Sequence, residues 1–290
     1  MANAPVQPGA NAQAPGVNVP AILERLAEMY PDARCALHFT TPFELLVACI
    51  LSAQCTDKRV NIVTARLFPR CNRPEHFAAM TPEELAEEIR DCGLYRSKAR
   101  HIVELSQILL DRYDGQVPQS REELMQLPGV GRKTANVVLS NAFGRPAIAV
   151  DTHVFRVANR IGLASADDPF KTELQLMDAI PESLWSQAHH WLIHHGRNLC
   201  SARNPRCHAC PIQPYCRYAA ERTGTPPVEA GTPMERAAAQ TEQADTRRQP
   251  AAAQTGANRA SRPGKPATEP RRQRRAPAAQ GAARGEAVAP

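Results

Sequence analysis

What this sequence lacks narrows it first. No stretch reaches the ~20 consecutive apolar residues that a membrane-spanning helix needs. The N-terminus shows no basic-then-apolar pattern of a secretory signal, so a cytoplasmic setting is expected. No period-2 alternation runs long enough to build a sheet, which leaves an all-α fold. Residues 224–290 contain no aromatic residue and almost no Leu, Ile or Val. A segment of that composition cannot offset the entropy of ordering and is expected to be a disordered, Ala/Pro/Arg-rich tail. Residues 1–19, rich in Ala, Pro, Asn and Gln, read as a disordered arm. The tail carries eleven Lys and Arg against six Asp and Glu, which is +5 of the chain's +6. Residues 1–223 are therefore near neutral, and any nucleic-acid argument for them rests on where charge is placed.

Nine cysteines is an odd number, and in a reducing compartment most are expected to be thiols. Cys35, Cys49, Cys55, Cys71 and Cys92 are scattered and read as small core residues or inert surface thiols. The remaining four fall together as Cys200-x6-Cys207-x2-Cys210-x5-Cys216, among Arg203, Arg206 and Arg217. Four such thiols call for a metal, either tetrahedral zinc or a cubane iron–sulfur cluster. A single x2 knuckle flanked by longer spans suits a loop wrapping the larger object.

The stretch Leu127-Pro128-Gly129-Val130-Gly131-Arg132-Lys133-Thr134-Ala135 is the most informative in the chain. A short helix over 121–127 precedes it, with Leu124 and Leu127 on one face, and apolar residues at helical spacing over 134–143 follow. The hairpin between them suits Pro and Gly, because Pro128 fixes φ and Gly129 and Gly131 permit positive φ. Bare amides at the mouth of the second helix make that end a ready anion site, and a phosphate is the natural guest. Arg132 and Lys133 sit on the unfavourable end of the helix dipole. A positive helix end and a neighbouring guanidinium both disfavour the ammonium form, which is one route to a nucleophilic lysine.

Around this unit the helices read in order. Residues 20–29 are amphipathic, with Ile22, Leu23 and Leu26 inward. Residues 42–54 are apolar on most faces, start at the cap Thr41 and Pro42, and should form a central core helix. A helix over 58–67 follows the polar run that begins at Ser52. Thr81 and Glu84 start another, which stops at Cys92-Gly93. Leu94 and Tyr95 then stand as exposed apolar residues before a helix over 99–113. A brief extended piece over 147–150 leads to Asp151-Thr152-His153 and an amphipathic helix that Asp151 is placed to cap. Helices over 168–179 and 182–198 complete a bundle of roughly ten helices, expected to form two lobes with a cleft between them.

Together these residues resemble the endonuclease III family of DNA repair glycosylases over residues 20–223. Leu127 to Ala135 is similar to its helix-hairpin-helix, Ala149-Val150-Asp151-Thr152-His153-Val154-Phe155-Arg156 to the segment bearing its catalytic aspartate, and the four-cysteine spacing to its cluster loop. Leu51-Ser52-Ala53-Gln54 and Gly93-Leu94-Tyr95 are similar to its two DNA-inserting loops. The resemblance implies a [4Fe–4S] cluster on Cys200, Cys207, Cys210 and Cys216. It implies a DNA glycosylase and AP lyase acting on oxidised pyrimidines in duplex DNA, working as a monomer in the bacterial nucleoid. Lys133 would be the Schiff-base nucleophile and Asp151 its catalytic partner. Gln54 and Leu94 would enter the duplex, and Gly129, Val130, Gly131 and Arg132 would hold its backbone. It also implies an active site in the cleft between a helical-barrel lobe and a lobe made from both termini. Cys55 stands where the family often has a small aliphatic residue. Two rival readings are a monofunctional mismatch glycosylase and a noncatalytic DNA-binding or electron-transfer module. Members that only remove bases lack the lysine, so Lys133 with Asp151 argues against both. Arg271-Arg272-Gln273-Arg274-Arg275 in the tail would either add salt-sensitive DNA affinity or form a solvated linker of little consequence.

Overall fold

Every regular element among residues 17–229, which the computed structural model describes, is helical, and no strand occurs among them. The α-helices are α1 (Val19–Met29), α2 (Pro42–Leu51), α3 (Asp57–Leu67), α4 (Pro74–Ala78), α5 (Pro82–Glu88), α6 (Tyr95–Tyr113), α7 (Arg121–Leu124), α8 (Arg132–Ala142), α9 (Thr152–Ile161), α10 (Pro169–Ala179), α11 (Trp185–Asn198) and α12 (Arg217–Thr223). No described helix is long and apolar enough to cross a membrane. The expectations for the arm and the tail fall outside the described residues, apart from 17–19 and 224–229.

Local chemistry sets most boundaries. Thr41, Thr56, Thr81, Ser120 and Asp168 each cap a helix by accepting a backbone N–H, and Thr81 with Glu84 forms a full capping box. Such caps satisfy amides that have no partner inside the helix. α4 escapes the sequence pattern because five residues are too few to show a helical period. α6 starts four residues before the expected 99, directly after Leu94, whose φ of 59° turns the chain into the helix. α8 starts at Arg132 rather than at Thr134, which puts Arg132 and Lys133 in its first turn.

The helices form two hydrophobic cores. One gathers residues 37–147, with α2 at its centre, where every residue from Phe43 to Leu51 is buried. α4 and α5 pack on α6, and α2 packs on α6 and α8. The other gathers residues 19–33 and 148–219, built on α9 with α11, α10 and α12 against it and α1 on α11. Fully buried Leu and Ile side chains, such as Leu45, Leu46, Leu105 and Ile161, each contribute about 1.5–3 kcal/mol of transfer free energy. From Val19 the chain lies in the second core, then builds the first, and returns to the second at Ile148. That return places α8 and α9 on opposite sides of the lobe boundary.

Candidate active site and cluster site

The hairpin unit is assembled from both its neighbours. Leu124 and Leu127 are buried, as their shared face predicts. Gly129 has φ +77°, and a Cβ there would lie 3.0 Å from Nδ1 of His101. Gly131 departs from expectation: its φ is −93°, and a Cβ there would meet nothing within 4 Å. Its value is thus open space rather than backbone freedom. Val130 is buried and its N–H donates to the Leu127 carbonyl at 3.1 Å. That amide is therefore already used within the hairpin. Gly131 offers α8 no side-chain cap, so the first-turn amides face outward without an intrahelical acceptor.

Arg132 is engaged within the protein. Its Nε and Nη2 lie 2.8 and 2.9 Å from the Glu173 carboxylate, and its guanidinium stacks 4.5 Å from the Phe170 ring centre. Glu173 is buried. The pair offsets the cost of a cation at the positive end of α8 and leaves Lys133 as the exposed cation of that turn.

Lys133 and Asp151 line one pocket of about 590 Å³ that takes side chains from both lobes. Asp151 caps α9, with Oδ1 accepting from the amides of His153 and Val154, each at 2.8 Å. Both bonds fall on the same oxygen, so capping and a second role on Oδ2 are compatible. Asn136, three residues after Lys133 and fully buried, connects the two sides. Its Nδ2 donates to the Ile148 carbonyl at 2.8 Å, and its Oδ1 accepts from Arg121 Nε at 2.8 Å. It therefore ties the lysine's helix to the segment that delivers Asp151. Composition alone gave no signal for this residue.

Five further pocket residues were missed by sequence reasoning: Asp57, Arg197, Cys35, Cys49 and His189. Asp57 and Arg197 form an ion pair at 2.8 Å between α3 and α11, across the lobe boundary. Cys35 and Cys49, read as inert, line the pocket with Lys133. Burial raises both thiols, Cys49 to about 12, so they are neutral there. Burial also pushes His189 down to about 4, with the charge of Lys133 acting in the same direction.

Gln54 and Leu94 are both exposed and both left-handed, at φ 51° and 59°. A Cβ on Gly93 would sit 3.3 Å from the Gln54 carbonyl oxygen, so the two loops abut.

Cys200, Cys207, Cys210 and Cys216 line one pocket with Ile161 of α9, His195 of α11 and Tyr218 of α12. Among the described residues no three His, Cys, Asp or Glu converge on a single-ion position. Four thiols on one pocket, with a single x2 knuckle between longer spans, suit a cubane better than zinc. Two arginines of α9 hold the start of the loop: Arg156 donates to the Cys200 carbonyl, and Arg160 to the carbonyls of Ser201 and Ala202. Arg160 Nη1 also lies 3.5 Å from Cys200 Sγ. The four-thiolate donor set and these nearby cations suit an anionic [4Fe–4S] cluster, which is this protein's cofactor.

Residues 47–182 match the model of the HhH-GPD superfamily of base excision DNA repair proteins, and residues 200–216 match the iron–sulfur binding domain of endonuclease III. Endonuclease III of Bacillus subtilis is 50% identical over 201 residues, 69% of this chain and 92% of that protein. Endonuclease III of Escherichia coli K12 is 48% identical over 197 residues, 68% of this chain and 93% of that protein. A trapped endonuclease III–DNA covalent intermediate superposes with a TM-score of 0.67 at 51% identity, covering 70% of this chain and 96% of that one. A thermostable thymine-DNA glycosylase superposes at 0.62 with 27% identity, covering 70% and 95%. The chain belongs to the endonuclease III family and is a DNA glycosylase and AP lyase of base excision repair.

Proposed function

We propose that Lys133 is the nucleophile, that Asp151 is its partner, and that the substrates are oxidised pyrimidines in duplex DNA. One observation carries the assignment: Lys133 from one lobe and Asp151 from the other line the same pocket, at the mouth of a helix with uncapped amides. A base is out of reach in the stack, so the nucleotide is extruded, at a cost of a few kcal/mol that is least for damaged bases. Leu94 wedges into the duplex and Gln54 fills the vacated space. The amides at Gly131 and the first turn of α8 hold a backbone phosphate. Because Arg132 is paired with Glu173, it acts here by orienting the hairpin.

The neutral Lys133 amine attacks C1′ as the C1′–N bond to the base breaks. Asp151 stabilises the cationic sugar and relays the proton that the amine loses. Opening of the ring gives a protonated imine, which acidifies the C2′ hydrogen. Loss of that proton expels the 3′-phosphate and nicks the strand. Cys200, Cys207, Cys210 and Cys216 would hold the [4Fe–4S] cluster, which would staple the 200–216 loop. On this reading the enzyme works as a monomer, since both lobes come from one chain, and acts at the bacterial nucleoid, where its DNA substrate lies.

Borohydride reduction in the presence of a duplex carrying an abasic site is expected to trap a covalent complex, absent in Lys133→Ala. Wild-type protein that holds its cluster yet neither traps nor nicks would overturn the assignment in favour of a base-removing mismatch enzyme.

A further inference from the structure

The two loops assigned to DNA meet at one buried residue. Lys98 lies in the first turn of α6 and is 3% exposed. Its backbone N–H donates to the Leu94 carbonyl at 3.1 Å. Its Nζ donates to the carbonyls of Leu51 at 2.8 Å and Ala53 at 2.6 Å. One residue thus touches the Leu94 loop through its main chain and the Gln54 loop through its side chain. Burial lowers the Lys98 pKa from its ordinary value.

A buried ammonium is an expensive way to finish a helix. α2 leaves carbonyls open at its C-terminus, and a glycine in the left-handed conformation closes such an end without burying charge. Desolvation of a cation is costly even when its donors are satisfied. Here the left-handed position at the end of α2 is taken instead by Gln54, a residue with a Cβ, and the corresponding position before α6 by Leu94. Two exposed side chains in the left-handed region are thus held by one residue, whose ammonium bonds to the 51–53 backbone and whose main-chain N–H bonds to Leu94.

We propose that Lys98 is a positioning residue that locks the Gln54 and Leu94 loops into one rigid unit, so that wedging and filling of the duplex occur as a single event. This rests on the reading of Gln54 and Leu94 given above. Lys98 lies outside the pocket of Lys133 and Asp151 and acts before the chemistry. Losing it should slow base extrusion and spare the steps that follow.

The test compares single-turnover excision of one oxidised pyrimidine in a fully paired duplex and in an unpaired bubble, with 2-aminopurine beside the lesion reporting unstacking. Misplacement of a positioned group by ~1 Å costs about 100-fold. Lys98→Met is therefore expected to lower the paired rate by about that factor, lower the fluorescence rise with it, and change the bubble rate far less. Lys98→Arg, which keeps a cation and several donors, is expected to fall between Lys98→Met and wild type. Equal losses on both substrates, or no loss on the paired one, would overturn the proposal. Gln54→Ala and Leu94→Ala separate it from the reading beneath. If they depress the paired rate and Lys98→Met does not, Lys98 alone is reassigned. If none of the three changes the paired-to-bubble ratio, the loop assignment falls with it. Should Lys98→Met not fold, Lys98→Arg carries the comparison, with hydrogen exchange on the wild type. Residues 52–56 and 93–97 exchanging as one unit would support the coupling, and independent exchange would reject it.

Discussion

Arg132 and Glu173 form a two-pronged ion pair, at 2.8 and 2.9 Å, between the first turn of α8 and the buried face of α10. The residue next to Lys133 thereby bridges the two lobes. Its loss strands a carboxylate whose side chain is only 4% exposed, and breaking a buried pair from one side costs about 3–5 kcal/mol. Arg132 is partly solvated, which places Arg132→Met at or below the lower end of that range. Urea unfolding is expected to show Arg132→Met less stable than the Arg132→Met/Glu173→Met double variant. A double variant as unstable as the sum of the two single ones would argue that the pair is not coupled.

The two hairpin glycines should respond oppositely to substitution. Gly129→Ala forces a Cβ at positive φ to within 3.0 Å of the His101 ring and is expected to cost ~1–3 kcal/mol of stability. Gly131→Ser meets open space at ordinary φ and supplies a good N-cap, so stability should hold or rise. Its hydroxyl then competes for the α8 amides, and affinity for undamaged duplex should fall. Melting temperature and fluorescence anisotropy on both variants separate the effects; undiminished DNA binding by Gly131→Ser would remove the phosphate from this helix end.

Asp151→Asn retains an acceptor where Oδ1 receives the His153 and Val154 amides. Asn caps as well as Asp, so the melting curve should be nearly unchanged. DNA binding should persist while excision is lost, because the negative charge is gone. Excision at the wild-type rate would return Asp151 to capping alone.

Two of the three buried histidines of α11, His189 and His190, make stability pH-dependent. Burial pushes His189 down from 6.5 to about 4 and His190 to about 3. Below pH 6.5 the unfolded chain binds protons that the folded protein refuses, so stability falls with pH. Above 6.5 both states are neutral and this contribution is flat. The fall runs from pH 6.5 through about 4 for His189 and about 3 for His190. Its slope reaches about 1.4 kcal/mol per pH unit for each histidine. Urea midpoints at pH 7.5 and 5 check the sign, and a folded His190→Gln variant should show a shallower decline.

Some of this was legible because its determinants are local. Thr41-Pro42 and Thr81 with Glu84 mark helix starts by short-range hydrogen bonds, and α2 announced its central place by being apolar on nearly every face. The cysteine spacing identified a loop around a metal group, and the glycine at 129 a left-handed turn. Less was visible at α4, too short for a period, and at Gly131, whose composition suggested positive φ and whose backbone is extended. Val130 and Arg132 looked like DNA contacts as part of a motif. Burial and Glu173 show the first turned inward and the second already paired.

The sequence by itself determined the helical fold, the hairpin, the cap at Asp151 and the four-cysteine loop of the iron–sulfur domain, since each depends on residues within a few positions of one another. Only the tertiary structure decided that Lys133 and Asp151 share a pocket with Asp57 and Arg197, that Asn136 and Lys98 fasten segments far apart in the chain, and that Arg132 belongs to Glu173. These relations join residues separated by 12 to 140 positions. Contacts at such separation come from which faces pack together when two cores close, and no local pattern encodes that choice.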